Sequence, residues 1–458
     1  MVSRIASRAL PMEAQPPRPM SETQRKFIAK LTFLISGGMF IDGFILGGVG
    51  VVMPAITESL RLSLAWQGLI GASTLIGIFF GAPIGGYLAD RIGRKPMFIV
   101  TLGIFLSGSV LQFFLHDAWQ VFAVRLFMGM AIGADYSIGW PLLAEFSPAR
   151  MRGKLLTVQE VAWYVGYLVS FAMGYFMVET FSSDWRLILG MSTIPSLIVF
   201  LLRLGSPESP RWLISKGRVD EGMAVAREFM QEEDVRDLER EIAATTQRTR
   251  TSFRLLFSPK YLKTTFFICV FFLTTVTPYF AIGTFAPAVL HGLGVENGLT
   301  GALLINGVVV LGSLAAMLLV ERAGRRKLSA PPLWICTIAL VVIGLFSHAS
   351  PVIVILCFAV FSFFNAIPTA LTGVYPGEVY PTEIRGAGVG FGMAVSRIGA
   401  AAGTFVLPVF LNHYGVAPTM LIAALICGFG AIVSQILAPE TKGLTLGESS
   451  NPEGSLKG

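Results

Sequence analysis

Five charged side chains lie inside long apolar stretches of the sequence and are the first candidates for chemistry: Asp42, Arg125, Asp135, Glu160 and Arg397. Taking an isolated charge out of water is costly, so each of them requires an opposite charge, a hydrogen-bonded partner or a task. A carboxylate in a poorly hydrated place can bind and release a proton, and a guanidinium can hold an anion. These residue types therefore predict proton exchange and anion binding.

The three acids are candidates for carrying protons, and Asp42 is the strongest of them. It lies in the middle of the apolar segment MFIDGFILGG, where desolvation favours the protonated carboxyl group. Asp135 is a second relay acid, a substrate contact or a buried aspartate bonded to a neighbouring helix, and these alternatives stay open. Glu160 lies near the end of its apolar segment, where water can reach it, and belongs either to the relay or to the framework.

Arg397 bears most directly on the ligand. It lies at the middle of an apolar segment, and its permanently charged planar fork suits a carboxylate. We expect it to bind an anion; the alternative is a structural bridge to Asp42 or Asp135. Aromatic and amide side chains inside the apolar segments are candidates to complete the pocket. They are Tyr136, Trp140, Trp163, Tyr164, Tyr167, Tyr279, Phe280, Asn306 and Asn365.

The composition indicates that membrane-spanning helices position these residues. Of the 458 residues, 53% are hydrophobic and only 14% are charged, whereas soluble domains have about 25% charged residues. Apolar runs of about 20 residues, the length of a membrane span, recur along the chain. They lie near 30–56, 66–90, 96–115, 119–144, 155–178, 186–204, 262–290, 299–320, 330–348, 351–376, 386–411 and 416–438. The sequence predicts an all-α membrane protein with twelve transmembrane helices.

One long polar segment divides the chain. Residues 205–261 include a stretch of alternating acidic and basic residues, which predicts amphipathic helices that join a six-helix bundle at 30–204 to another at 262–438. Tails are expected at 1–29 and 439–458. Lys and Arg concentrate in the connections after even-numbered spans, so the positive-inside rule puts those connections and both termini in the cytoplasm.

The same connections carry an internal repeat. LADRIGRK after span 2 matches LVERAGRR after span 8, EFSPARMRG after span 4 matches EVYPTEIRG after span 10, and PES after span 6 matches PET after span 12. The offsets are 231, 233 and 232 residues. Three pairs at nearly one spacing indicate a duplicated six-helix unit, an arrangement in which the substrate site lies between the halves.

The charged residues of the repeat predict ion-pair clusters that hold the halves and rearrange as they move. Each pair is worth roughly 0.2–1 kcal/mol at a wetted boundary, so such pairs can exchange. Orientation signals alone are the alternative, but they do not explain the paired acids. The candidate gating residues are Asp90, Arg91, Arg94, Glu145, Arg152, Glu208, Glu321, Arg322, Arg325, Glu378, Arg385 and Glu440.

With these motifs the sequence resembles the major facilitator superfamily, from the first span to Lys442. It is most similar to the sugar-porter-like branch, which also contains proton-coupled aromatic-acid, nicotinate and phosphate symporters. The resemblance implies two pseudo-symmetric six-helix bundles. It also implies that Asp42 matches the helix 1 acid of proton-coupled sugar porters and that Arg125 is its partner, either in proton coupling or as a static pair.

This resemblance implies a secondary transporter, and we expect proton-coupled uptake of an aromatic or other small carboxylate by alternating access. The alternative is a proton-coupled sugar or polyol symporter of the same fold. Span 7 has TTVTPYFAIGTF where sugar porters have a glutamine-rich segment, and this favours an anion. We expect a monomer in a bacterial inner membrane, with substrate, protons and lipid as its partners. Enzyme activity, a cofactor, a metal and a nucleic-acid partner are not expected.

Overall fold

The computed structural model describes residues 20–147, 149–181, 184–203, 208–244, 253–346, 351–380 and 382–442. Within these ranges twelve helices are long and apolar enough to cross a membrane, which confirms the predicted fold class. We number them spans 1 to 12: Glu22–Leu60, Leu64–Ile92, Arg94–Leu111, Ala118–Phe146, Ala149–Phe181, Trp185–Arg203, Leu262–Thr284, Gly298–Ala323, Arg325–Leu345, Pro351–Leu371, Thr382–Tyr414 and Val416–Leu437. Span 6 consists of two helices, Trp185–Gly190 and Thr193–Arg203.

The two halves of the chain pack alike. Span 2 packs on span 4, span 1 on span 5 and span 3 on span 6; the same pairs recur six spans later, as spans 8 and 10, 7 and 11, and 9 and 12. The halves meet along spans 2 and 11 and along spans 5 and 8. The protein is therefore a pair of pseudo-symmetric six-helix bundles that face each other.

Up-and-down packing brings the connections after the even-numbered spans to one end of the molecule. We call this end the motif face, because the repeated motifs lie there, and the other end the opposite face. Three further helices, Pro210–Ser215, Val219–Phe229 and Glu232–Ala244, follow span 6 at the motif face. Phe229 stacks on Phe27 of span 1 with ring centroids 4.0 Å apart, so these helices are anchored to the first bundle.

Span 1 begins at Glu22, within the tail predicted for residues 1–29. Ser21 Oγ accepts a hydrogen bond from the Gln24 N–H at 3.2 Å, and Gln24 Oε1 accepts one from the Ser21 N–H at 3.1 Å. This capping box starts the helix among polar residues. Hydropathy missed this start because it responds to the apolar run and not to the cap.

Spans 7 and 10 end before their apolar runs end. Span 7 stops at Thr284 and is followed by a short helix, Ala286–Gly292; span 10 stops at Leu371 and is followed by Tyr375–Val379. Each short helix has a proline in its first turn. Proline lacks the N–H that a continuous helix would use, so the chain breaks where hydropathy predicted one span.

The repeated motifs form equivalent ion pairs in the two halves. Arg94 lies 2.7 Å from Glu145 in the first half, and Arg325 lies 2.9 Å from Glu378 in the second. Arg325 is also paired with Glu321, at 3.2 Å. The duplication seen in the sequence is thus a duplication of contacts.

A second glutamate in each half caps a helix. Glu208 accepts hydrogen bonds from the first two backbone N–H groups of span 3, at 3.0 and 3.1 Å, and Glu440 accepts those of span 9, at 2.9 and 3.2 Å. A carboxylate at this position is favoured by the helix dipole. Gly93 and Gly324 precede these helices with φ of +116° and +90°, and a Cβ there would lie 2.6 and 2.5 Å from the capping carboxylates. Only glycine therefore fits both the backbone and the cap.

The remaining candidate gating residues are less closely engaged. Glu321 lies against Gly153 of span 5 and so reaches from one half to the other, whereas the Arg94–Glu145, Arg325–Glu321 and Arg325–Glu378 pairs each join residues of the same half. Arg91 packs over the Tyr87 ring, and the Arg322 carbonyl accepts a hydrogen bond from Lys442. The side chains of three others lie outside the described part of the chain: Asp90, Arg152 and Arg385.

We predict that Gly324→Ala destabilises the protein. The new Cβ meets Glu440 and requires a backbone conformation that costs roughly 1–3 kcal/mol. Thermal unfolding in detergent should show a lower midpoint than wild type. Gly307→Ala is the matched control in span 8, because nothing lies within 4 Å of its Cβ position. Equal midpoints for the two variants would contradict the strained cap.

Candidate functional site

A small cavity lies between the two halves, and Arg397 is in its wall. Arg397 is 15 residues beyond the start of span 11, roughly 22 Å along the helix axis and so well inside the membrane. The cavity contains about 40 Å³ of space for the centres of water-sized spheres, or roughly three waters. Of the predicted pocket and proton-relay residues, it is lined by Tyr136, Trp140, Glu160, Trp163, Tyr164, Tyr279, Phe280 and Arg397.

The guanidinium of Arg397 is buried without a carboxylate partner. Its carbon lies 5.4 Å from the centre of the Phe280 ring and 5.8 Å from that of Tyr136. Its Nε is sealed from solvent and has no hydrogen-bond partner among the described residues. Neither the bridge to Asp42 nor the bridge to Asp135 forms within 4 Å in this part of the chain. Contacts with ring faces stabilise a desolvated cation by about 2 kcal/mol, which is less than the cost of burying its charge. The positive charge of Arg397 therefore remains available to an anion.

Aromatic rings from both halves form one continuous wall. Trp163 stacks on Tyr167 at 5.6 Å between centroids and meets Phe280 edge to face at 5.8 Å. Tyr164 meets Tyr279 edge to face at 5.7 Å. Buried interlocked rings lose little rotamer freedom when a ligand arrives, so this wall is ready to pack a flat apolar group.

Seven lining residues are absent from the predicted set: Met39, Phe272, Val276, Thr369, Thr372, Met393 and Ser396. Three are hydroxyl residues, which are common in transmembrane helices and carry no distinctive spacing. The PTALT segment that contains both threonines continues past the end of span 10, where the chain turns. This turn beside the predicted site was the feature of the sequence that could have pointed to the two threonines.

The two acids nearest Arg397 lie in different surroundings. Glu160 of span 5 is in the cavity wall, deeper than its predicted place near the interface. Asp42 of span 1 is fully buried behind the wall, and neither of its carboxylate oxygens has a hydrogen-bond partner among the described residues. Both acids act electrostatically on Arg397, but only Glu160 shares its cavity.

Asp135 forms a buried ion pair with Arg203, a residue that the sequence reasoning missed. Arg203 Nη1 lies 2.6 Å from Asp135 Oδ1, and both side chains are 1% exposed. The Arg203 Nε donates to the Leu34 carbonyl at 3.0 Å, and its guanidinium lies 4.6 Å from the Phe98 ring centre. The pair therefore ties spans 1, 3, 4 and 6 together, which supports the structural alternative for Asp135. Arg203 was passed over because charges at span ends were read as boundary signals.

Arg125 and Asp42 are not brought together. Arg125 donates to the Ile45 carbonyl at 3.4 Å, and no ion pair joins it to Asp42 within 4 Å among the described residues. Helical carbonyls point toward the C-terminal end of their helix, whereas side chains lean toward its N-terminal end. Arg125 therefore approaches span 1 beyond Ile45, while Asp42 points back toward the motif face. The pairing implied by the family resemblance is absent for this reason.

The two predicted amide contacts lie off the cavity wall. The Asn365 side chain donates to the Thr275 carbonyl at 3.2 Å and thereby links spans 10 and 7. Asn306 is buried in span 8. Asn365 therefore forms an interhelical hydrogen bond in place of the predicted pocket contact.

The halves are in contact on both sides of the cavity. Toward the opposite face, Tyr167 donates to the Gly283 carbonyl at 3.3 Å, and the hydroxyls of Tyr175 and Thr300 are 3.0 Å apart. Toward the motif face, Trp140 lies against Gly373. The halves thus meet on both sides of a space that is too small for an aromatic ring, so a ligand of that size requires the halves to move apart.

Two matching six-helix halves around a central cavity define a secondary transporter of the major facilitator type. The chain belongs to the sugar (and other) transporter family, whose profile matches residues 24–451. It is accordingly a multi-pass membrane transporter and not an enzyme.

Relatives with similar sequences carry transport names. YaaU of Escherichia coli (strain K12), named as a metabolite transport protein, is 38% identical over 91% of this chain and 93% of its own. The niacin transporter NiaP of Acinetobacter baylyi is 28% identical over 92% of this chain and 96% of its own. The structure of the proton:xylose symporter XylE covers 94% of this chain and 99% of that one, with a TM-score of 0.79 and 20% identity, and supports the fold alone.

We predict that Arg203→Met unfolds the first bundle at lower temperature. Removing one partner of a buried ion pair costs about 3–5 kcal/mol, because the other charge is left uncompensated. The double variant Asp135→Asn with Arg203→Met should recover most of that loss in the same thermal assay. Losses that simply add in the double variant would contradict the pairing.

Proposed function

We propose that the protein is a proton-coupled symporter that takes up a small aromatic or other carboxylate by alternating access. The observation that carries this proposal is Arg397, a buried guanidinium that forms no ion pair with an acid of the described residues, in an aromatic-lined cavity between the two halves. Its planar fork suits a carboxylate. The rings of Trp163, Tyr164 and Tyr279 suit the flat body of an aromatic acid.

The niacin transporter NiaP is the relative whose named substrate best matches this chemistry, because niacin is a pyridine ring that bears a carboxylate. A proton-coupled sugar or polyol symporter is the second candidate. It is favoured by the myo-inositol transporter IolT of Bacillus subtilis, which is 26% identical over 92% of this chain, and by the fold of XylE. The charged, planar fork of Arg397 matches a carboxylate better than it matches the hydroxyl groups of a neutral polyol, so we place the carboxylate first.

Transport in this proposal is a cycle of separation and closure. The halves part at the opposite face, the carboxylate binds Arg397, a buried acid takes a proton, and the closed cavity then opens toward the motif face. Proton and anion together add no net charge to the cavity. The ion pairs of Arg94 and Arg325 hold the helices of each half together while the halves move.

We infer further that the motif face is cytoplasmic, together with both termini, because Lys and Arg concentrate there. A bacterial inner membrane is the proposed location, and it agrees with the name of YgcS, an inner membrane metabolite transport protein of Escherichia coli that is 34% identical over 97% of this chain. The cavity is enclosed within one chain, so we propose a functional monomer.

We predict that Arg397→Ala strongly reduces uptake at low substrate concentration. Losing hydrogen bonds to a charged ligand costs roughly 1.5–3 kcal/mol, about ten- to a hundredfold in affinity. The measurement is uptake of radiolabelled niacin and benzoate into proteoliposomes that are acidified outside. Arg218→Ala, which removes an exposed arginine paired with Glu221 in the segment between the bundles, is the matched control and should leave uptake unchanged.

Three outcomes would contradict this proposal. Wild-type uptake that is unaffected by collapsing the proton gradient would remove the coupling. Uptake at low substrate concentration that is unchanged in Arg397→Ala would remove the role of the guanidinium. Competition by xylose or myo-inositol, without competition by benzoate, would favour the polyol alternative.

A further inference from the structure

Glu160 and Arg397 face one cavity from different halves of the protein. Glu160 is on span 5 and Arg397 on span 11, and each is 8% exposed. No ion pair joins them within 4 Å among the described residues. The space between them is therefore bounded by an acid on one side and a base on the other.

The other predicted proton carriers lack access to this space. Both oxygens of Asp42 are sealed from solvent, and Asp42 does not line the cavity. Asp135 forms an ion pair with Arg203 at 2.6 Å and does not line the cavity. Arg125 lies beyond Ile45, toward the opposite face. Among the described residues, Glu160 is the acid that water in the cavity can reach.

The charged and titratable groups around Glu160 are few. Arg397 of span 11 is the one cation in the described cavity wall. The other titratable groups in the described wall are three phenols: Tyr136 of span 4, Tyr164 of span 5 and Tyr279 of span 7. Asp42 of span 1 lies behind the wall and acts electrostatically on Arg397. A carboxylate ligand on Arg397 would thus be a second anion sharing one cation with ionised Glu160.

We propose that Glu160 is the proton acceptor of the transport cycle, and that it takes up a proton from cavity water when a carboxylate binds Arg397. This inference rests on the proposed function. One O–H bond of a hydronium ion in the cavity water breaks, one forms on a Glu160 carboxyl oxygen, and a water molecule is left; the Arg397–Glu160 charges sum to zero before binding, and Arg397 with the bound carboxylate sums to zero after it. Two carboxylates near one guanidinium disfavour ionisation of one of them, which is the physical origin of the coupling.

A bound carboxylate favours protonated Glu160, so binding takes up a proton in the pH range where Glu160 is ionised in the free protein and protonated in the complex. Within that range affinity falls by about tenfold per pH unit as pH rises, and above it the slope disappears. A chain without this carboxyl group binds the same anion with no such slope.

The test is calorimetric titration of purified wild-type protein with niacin in buffers of different ionisation enthalpy, which counts protons. Wild type should take up about one proton per niacin bound, and Glu160→Gln about none. Asp42→Asn, the variant of the competing acid, should still take up about one. Glu179→Gln, an exposed glutamate of the same span, is the matched control and should behave as wild type.

The outcomes separate this inference from the proposed function. Failure of wild type to bind niacin or benzoate would overturn both. Binding with proton uptake that persists in Glu160→Gln, or that disappears in Asp42→Asn, would overturn only the role of Glu160. If Glu160→Gln does not fold, carbodiimide labelling of the wild-type protein is the test. Modification of Glu160 that niacin prevents supports the inference. Labelling confined to other carboxyl groups overturns it.

Discussion

The cost of removing charge from water governs the interior of this protein. Arg203 and Asp135 offset that cost by a short ion pair, and Arg203 also donates a hydrogen bond to a backbone carbonyl. For Arg397 the cost is offset only in part, by cation–π contacts with two aromatic rings. The first arginine therefore holds four helices of one bundle together, whereas the second places a positive charge that is only partly compensated in the space between the bundles.

Duplication explains why the two bundles can move as units. The Arg94–Glu145 and Arg325–Glu378 pairs, with their capping glutamates, tie the ends of neighbouring helices in each half in the same way. Each tie stays within its half, so separation of the halves need not break them. The interface between halves consists instead of packed side chains, a few hydroxyl contacts and the approach of Glu321 to Gly153.

The twelve spans, the two halves and the mid-span position of Arg397 were predictable from the sequence, because apolar length, a near-constant offset and a mid-span charge can be read without knowing how the helices pack; the role of Arg397 in binding an anion stays a prediction. Partnerships were harder to predict. The Asp42–Arg125 pair failed because it depends on the direction in which a side chain leaves its helix. Arg203 was missed because a charge at a span end usually marks only the boundary. The breaks after Thr284 and Leu371 depended on prolines, which hydropathy ignores.

The opposite face is closed mainly by bare backbone. Gly50 lies against the Thr284 carbonyl, Gly68 against that of Phe405, and Gly71 against Phe285 and Thr404. No ion pair of the described residues crosses between the halves there. Apart from the hydroxyl contacts of Tyr167 and Tyr175, this closure therefore relies on short-range dispersion, which ionic strength hardly affects and which a single added methyl group would wedge apart. A change in salt concentration would leave this contact nearly unchanged, whereas the size of one side chain would set how closely the two halves approach each other there.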